Sequence, residues 1–405
     1  MKIHVREIEA SPFKEGFIRL SADIEYDDNH AAETIWFDVE EKYKEKVSIS
    51  GNPWVTCLLP LASSLGENIE IDKPCDYQLL VNLQEVMSVW NSWDAKLSII
   101  TICSPIQMNV VSKSPSTAAF FSGGVDSFFT ALTVDEEARQ GKVKPLTDLI
   151  LVWGFDIPLE NTSAFEKLYK RLEKSTILLN KSLLPVITNI RQTRFEITSW
   201  GTHSHVGALG AVAHVFAGAF SKVYLGSSYP YKALVTPWGS HPMIDHLLSS
   251  SCMEIFTHGL PKNRVEKTKF ISKFNIAMGG LHVCWQDASD KNCGRCDKCY
   301  RTMITLQLLN GLDGCSTFTQ KVVTEDEMGR LYCSSDSSIM FLDEIVSFAL
   351  SKGDLEVVEA VSKSIRNSRR INKILPFVNI LRNNWPFRRI GVFLYKATFK
   401  NLIYR

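Results

Sequence analysis

The sequence predicts an α/β protein in three parts. Residues 116–314 form a parallel-sheet core, residues 1–115 a β-rich segment before it, and residues 315–405 a helical extension after it. Three observations lead there. "GFIRLSADIEY" and "ETIWFDVEEKY" alternate apolar and polar residues with the period of strands. From residue 116, short apolar runs alternate with helical segments, the pattern of a sheet covered by helices. Beyond residue 320 only helical spacing remains.

Within the first part, "LSIITICSPI" reads as a short β-branched strand and "YQLLVNLQEVMSVWNSW" as a helix. "VVSKSPS" has the Ser/Pro composition of a linker. In the core, "AAFF" leads into a helix near Asp126, and "DLILVWGF", "LLPVITNI" and "KVYLGSS" are three further strands. The Ala- and Gly-rich stretch "THSHVGALGAVAHVFAGAF" suits a helix packed closely on a sheet. In the last part, "SIMFLDEIVSFALSKG" stops on a C-terminal Gly, and the next helix starts on an Asp cap. "LPF" and "WPF" are expected to break the C-terminal end into short pieces.

With 405 residues, 45% hydrophobic and 22% charged, the composition is that of an ordinary globular protein. The charged start "MKIHVREIEA" does not read as a signal peptide, so none is expected, and the longest apolar run is too short to span a bilayer. A cytoplasmic protein is expected. Its ten cysteines are then better explained by metal binding or burial than by disulfides. The net charge of +1 hides an asymmetry: residues 361–405 carry eleven Lys and Arg and no Asp or Glu. Such an end can hold nucleic acid, an acidic partner or anionic lipid, or dock on the chain's own acidic body.

Two motifs carry chemistry. In "AAFFSGGVDSFFTAL", Ser122-Gly123-Gly124-Val125-Asp126-Ser127 lies where a strand becomes a helix. A helix start presents unpaired N–H groups and a positive dipole end to phosphate, and glycines let the backbone approach it. The two serines add hydroxyl donors, and Asp126 can cap the helix or help hold Mg²⁺. No GK[ST] follows, so this is not the lysine-bearing phosphate loop of that signature. Ser-Gly-Gly alone is a common turn; the strand before and the helix after it point to a nucleotide.

The second motif is "CWQDASDKNCGRCDKCYR", with Cys284, Cys293, Cys296 and Cys299 within 16 residues. The spacing suits a structural, four-thiolate Zn²⁺, and an Fe–S cluster takes the same ligand set. The cluster would pin its loop to a helix starting near Tyr300. Cys57, Cys75, Cys103, Cys252, Cys315 and Cys333 fall outside the pattern and read as ordinary thiols.

Together, and in this order, the motifs resemble the 7-cyano-7-deazaguanine (preQ0) synthase family of the N-type ATP pyrophosphatase (PP-loop) superfamily, over roughly residues 117–310. The resemblance implies an adenine nucleotide alpha hydrolase-like core, ATP, Mg²⁺ and Zn²⁺ as cofactors, and a homodimer. It implies adenylation of a 7-carboxy-7-deazaguanine or related deazapurine carboxylate, and capture by a nitrogen nucleophile to give an amide or nitrile. By position, Ser122, Gly123, Gly124, Asp126 and Ser127 would hold ATP phosphates, and Trp153, Gly154, Gly226 and Ser227 would line the nucleotide site. Lys267 and Arg301 would join Asp126 and Ser127 in catalysis. The family's substrate loop is not clearly reproduced: Arg191, Arg194, His203, His205, His241 and Asp245 are the candidate contacts, each more often structural. The flanking parts lie outside the resemblance. Elongated proteins of this layout also resemble those of bacterial anti-phage operons, where the group is joined to a protein amine. The alternatives are a tRNA-modifying relative that holds RNA on the basic end, and a non-catalytic sensor.

Overall fold

The computed structural model describes residues 1–108, 114, 116–234, 237–286, 289–383, 388–399 and 402. The chain forms two compact units, Met1–Pro261 and Lys262–Arg405.

The first unit is mixed α/β. Among the described residues one sheet holds eleven strands, and a block of five at one end of it is parallel. Across that block the order is Glu254–His258, Lys222–Gly226, Thr117–Phe120, Asp148–Trp153, Ser182–Thr188. Its register pairs Ala119 with Leu149 on one side and with Tyr224 on the other. These strands are near-continuous apolar runs because both faces are covered, as in other helix-flanked parallel sheets. The chain starts in the middle, adds two strands on one side, then crosses to the other side for Lys222–Gly226. The strand order therefore reverses beside Thr117–Phe120.

The β-rich N-terminal strands extend this sheet. Glu33–Glu40 pairs antiparallel with Ser182–Thr188 and then with Phe17–Glu25. Asn189 ties the junction: its Oδ1 accepts from the Trp36 N–H at 3.0 Å, and its Nδ2 donates to the Thr34 carbonyl at 2.8 Å. Asp38, fully buried, is held by the Arg19 guanidinium at 2.7 and 2.8 Å, and that guanidinium lies 3.8 Å from the Trp36 ring. "YQLLVNLQEVMSVWNSW" is the helix Tyr77–Trp93, capped by Asp76, whose carboxylate accepts from the Leu79 N–H. "LSIITICSPI" yields only the two-residue strands Ile102–Cys103 and Ile106–Gln107. Most of "VVSKSPS" lies outside the described residues.

One helix has no counterpart in the sequence reading. Asn52–Leu65 buries twelve of its fourteen residues, so no polar face marks its period, and Pro60 sits inside it. It explains the glycines of "GALG". A Cβ on Gly207 would lie 2.7 Å from Pro60 Cγ, and one on Gly210 2.7 Å from Thr56 Cγ2. The Gly face of the helix His205–Val215 packs on this helix, and not on the sheet as the composition suggested.

The second unit is helical at its end, as expected. Asp336–Lys352 stops on Gly353 at φ +75°, and Asp354 caps Leu355–Asn383 through the Val357 N–H at 3.1 Å. That helix runs through "LPF": Pro376 removes one N–H, yet Val378 beyond it is buried against neighbouring structure. Packing on both sides of the proline outweighs a cost of about 3 kcal/mol. "WPF" lies outside the described residues. No helix among the described residues is long and apolar enough to cross a membrane.

Candidate functional site

Ser122–Gly124 follows the strand Thr117–Phe120 after the single residue Phe121, and Val125 opens the helix Val125–Arg139. The loop thus lies at the carboxyl end of the strand beside which the sheet order reverses, the place where open α/β sheets bind ligands. Gly123 holds φ +78°, a left-handed conformation that a side chain would strain. Gly124 is the helix N-cap and has no side-chain oxygen to bond the first N–H groups. Ser122 is exposed, and Asp126 is half-buried in the first helical turn, where the dipole favours its charge. Ser127 is buried, and its hydroxyl donates to the Gly124 carbonyl at 3.0 Å. It braces the loop from within the helix.

Gly226, ending the strand Lys222–Gly226, meets the loop closely: a Cβ there would lie 2.9 Å from the Asp126 carbonyl oxygen. Gly226→Ala is expected to push the helix start away from the strand end. The melting temperature should then fall by a few degrees, since one overpacked methyl costs about 1–3 kcal/mol. Ser227 is buried, and its N–H donates to the His258 carbonyl at 2.9 Å. Gly154 sits at φ +105° with the Thr188 carbonyl against its Cα. The Trp153 ring is buried: its indole is stacked on Phe165 at 4.5 Å, and its Nε1 donates to the Pro158 carbonyl.

Among the candidate contacts, Arg191 is exposed, and its guanidinium lies 4.5 Å from the Trp200 ring. Arg194 is taken by Asp28, and His203 is buried beside Trp90. His205 shares a hydrogen bond with the Trp200 carbonyl at 2.6 Å. His241 packs edge-on against Trp93. Asp245 is fully buried, accepting from Ser240 Oγ, Thr257 Oγ1 and the His241 N–H. Burial pushes it up to about 7. Between an unfolded value near 4 and that pH the folded chain binds the extra proton, so this group's contribution to stability falls as pH rises. Asp245→Asn should flatten that part of the urea-midpoint profile.

An arc of aromatic rings carries no motif in the sequence. Phe155 meets Trp200 at 5.0 Å, Trp200 meets His205 at 6.0 Å, His205 meets Trp238 at 5.7 Å, and Trp238 meets Tyr229 at 5.4 Å. Phe155 and Tyr229 lie just beyond the ends of Asp148–Trp153 and Lys222–Gly226, the strands on either side of the loop strand. The Trp238 ring rests on Gly201, and the Trp238 Nε1–H is buried without an acceptor among the described residues. The available signal was an aromatic residue just beyond each of two strand ends.

In the second unit, Cys284, Cys293, Cys296 and Cys299 bring their sulfurs within 4.8 Å of one another. Tetrahedral Zn–S bonds of about 2.3 Å would set sulfurs about 3.8 Å apart. Cys293 and Cys299 sulfurs are 3.8 Å apart. Gly294, at φ +68°, turns the chain so that the Arg295 and Cys296 N–H groups donate to the Cys293 sulfur at 3.4 and 3.3 Å. The helix starts at Asp297 and not near Tyr300, so Cys296 is its N-cap and Cys299 lies in its first turn. That helix end favours thiolate. Asn292 supports the site from behind: it accepts from the Val283 and Cys284 N–H groups and donates to the Leu281 carbonyl and Thr317 hydroxyl. Thiol–thiol bonding holds protons on the cluster: the contact with Cys284 pushes Cys296 up to about 12, and Cys284 and Cys296 push Cys299 higher still. A cation reverses that balance, so four converging thiols can hold a metal such as zinc.

Lys267 and Arg301 also belong to this unit. Lys267 is 1% exposed, in the helix Arg264–Ile271, which starts on a reciprocal cap between Asn263 and Glu266. Arg301 is buried, paired with Asp297 at 3.1 Å and lying 4.1 Å from the Phe341 ring. Compared with protein-family models, curated proteins and solved structures, the chain matches none.

Proposed function

We propose that the chain is an ATP-dependent ligase that adenylates a carboxylate and passes it to a nitrogen nucleophile. The observation that carries this reading is the Ser122–Ser127 loop, with its left-handed Gly123 and side-chain-free N-cap, at the strand end where the sheet order reverses. The N–H groups of the helix start suit pyrophosphate, and Asp126 offers a carboxylate to Mg²⁺. When bound, Mg²⁺ and these donors would neutralise charge on the departing pyrophosphate, so the residues act by positioning and electrostatics. Ser122, Gly123 and Gly124 would hold phosphate; Gly154 and Gly226 admit the backbone approach on either side.

The motif resemblance supports a deazapurine carboxylate as substrate, probed first with 7-carboxy-7-deazaguanine. The aromatic arc is suited to its flat ring, with the Trp238 N–H as a donor for a ring oxygen or nitrogen. The four cysteines would hold zinc in a structural role, because all four positions are protein thiolates. Mass spectrometry after incubation with Mg-ATP, this carboxylate and ammonia should give the amide or nitrile. AMP without a small product would direct the search to a protein amine, and unchanged ATP under every condition would end the ligase reading.

A further inference from the structure

We propose that the outward face of the last two helices docks on an anionic phospholipid surface. Residues 361–405 carry eleven cations and no acid. On the helix Leu355–Asn383, Lys363, Arg366, Arg370, Lys373 and Phe377 are spaced 3, 4, 3 and 4 residues apart, all exposed, so they form one stripe. Phe377 is 61% exposed and Ile374 beside it 49%, while Val361, Ile365 and Val378 take the buried side.

The helix Arg388–Phe399 repeats the arrangement. Arg389, Phe393 and Lys396 share a stripe, a ring between two cations, and Phe393 is 70% exposed with Ile390 at 54%. The packing of this helix uses other rings: Phe399 is buried against Tyr332 at 5.2 Å, and Tyr395 lies under Arg382 at 4.7 Å. The outward phenylalanines and isoleucines therefore do not hold the helices together.

Cations whose stems flank exposed apolar side chains match the boundary between lipid headgroups and acyl chains. Nucleic acid would use the cations, but Ile374 and Ile390 offer neither a stacking plane nor a hydrogen bond. A second copy of the same face brings like charge against like charge. Neither helix can cross the bilayer, so the contact is adsorption to one leaflet.

The test is co-sedimentation of the full chain with phosphatidylcholine vesicles, with and without about 30 mol % phosphatidylserine. The expected result is binding to the anionic vesicles alone, weakened roughly tenfold or more by raising salt severalfold. The double variant Phe377→Ser, Phe393→Ser, with its circular dichroism unchanged, should lose roughly tenfold in partition. Equal partition into both vesicle types, or no loss in the double variant, would overturn the proposal. So would indifference to vesicles together with salt-dependent binding of a tRNA transcript, or with a dimer in light scattering that the double variant dissolves.

Discussion

Cys299→Ser is expected to unfold Lys262–Arg405 while Met1–Pro261 keeps its structure. The four sulfurs join the segment around Cys284 to the start of the helix Asp297–Leu308. A structural zinc is worth an apparent ~10 kcal/mol or more, comparable with the whole stability of a domain. With zinc on the four cysteines, as proposed above, removing one thiolate leaves three ligands and forfeits most of that. Hydrogen exchange reads the two units separately: amides of Asp297–Leu308 should lose protection by several orders of magnitude, and those of Asp148–Trp153 should not. A strong chelator should act in the same way. Acid should too, because the ligands bind only as thiolates and the cluster holds its protons tightly, so metal retention falls as pH falls.

Gly154→Ala is expected to cost about 4 kcal/mol, the sum of a strained backbone and an overpacked contact at roughly 1–3 kcal/mol each. At φ +105° an alanine is disfavoured before any contact is considered, and its Cβ would stand 2.0 Å from the Thr188 carbonyl oxygen. The strands Asp148–Trp153 and Ser182–Thr188 would have to part at their carboxyl ends. Gly141→Ala is the control. Its φ is +73° with nothing within 4 Å of the added methyl, so only the backbone term of about 1 kcal/mol remains. Urea midpoints at unchanged slope would separate the two.

The parts that were legible in the sequence have local causes. Ser122–Ser127 was readable because the apolar run, the glycines and the helix start are contiguous, and the cysteine cluster because three of its ligands lie within seven residues. What stayed hidden depends on distant partners. Nothing near Glu33–Glu40 says that it pairs with Ser182–Thr188, since alternation marks a strand and leaves its neighbour open. The helix Asn52–Leu65 was hidden because burial on every side erases the amphipathic period. Trp153, at the end of an apolar run, reads the same whether its ring faces a ligand or, as here, Phe165. Trp238 carries no local signal because its ring partner His205 lies 33 residues upstream, on another element.

A ligase of this kind cuts ATP between its α- and β-phosphates. Radiolabelled Mg-ATP should be resolved into AMP and pyrophosphate by the wild-type chain in the presence of a carboxylate acceptor. Asp126→Ala, with its melting temperature checked, should cut it at least roughly a hundredfold more slowly, the scale of losing one electrostatic contact to the transition state. AMP and pyrophosphate that vanish with Asp126 are the predicted result. ADP and phosphate, or AMP release that Asp126→Ala leaves intact, would contradict it.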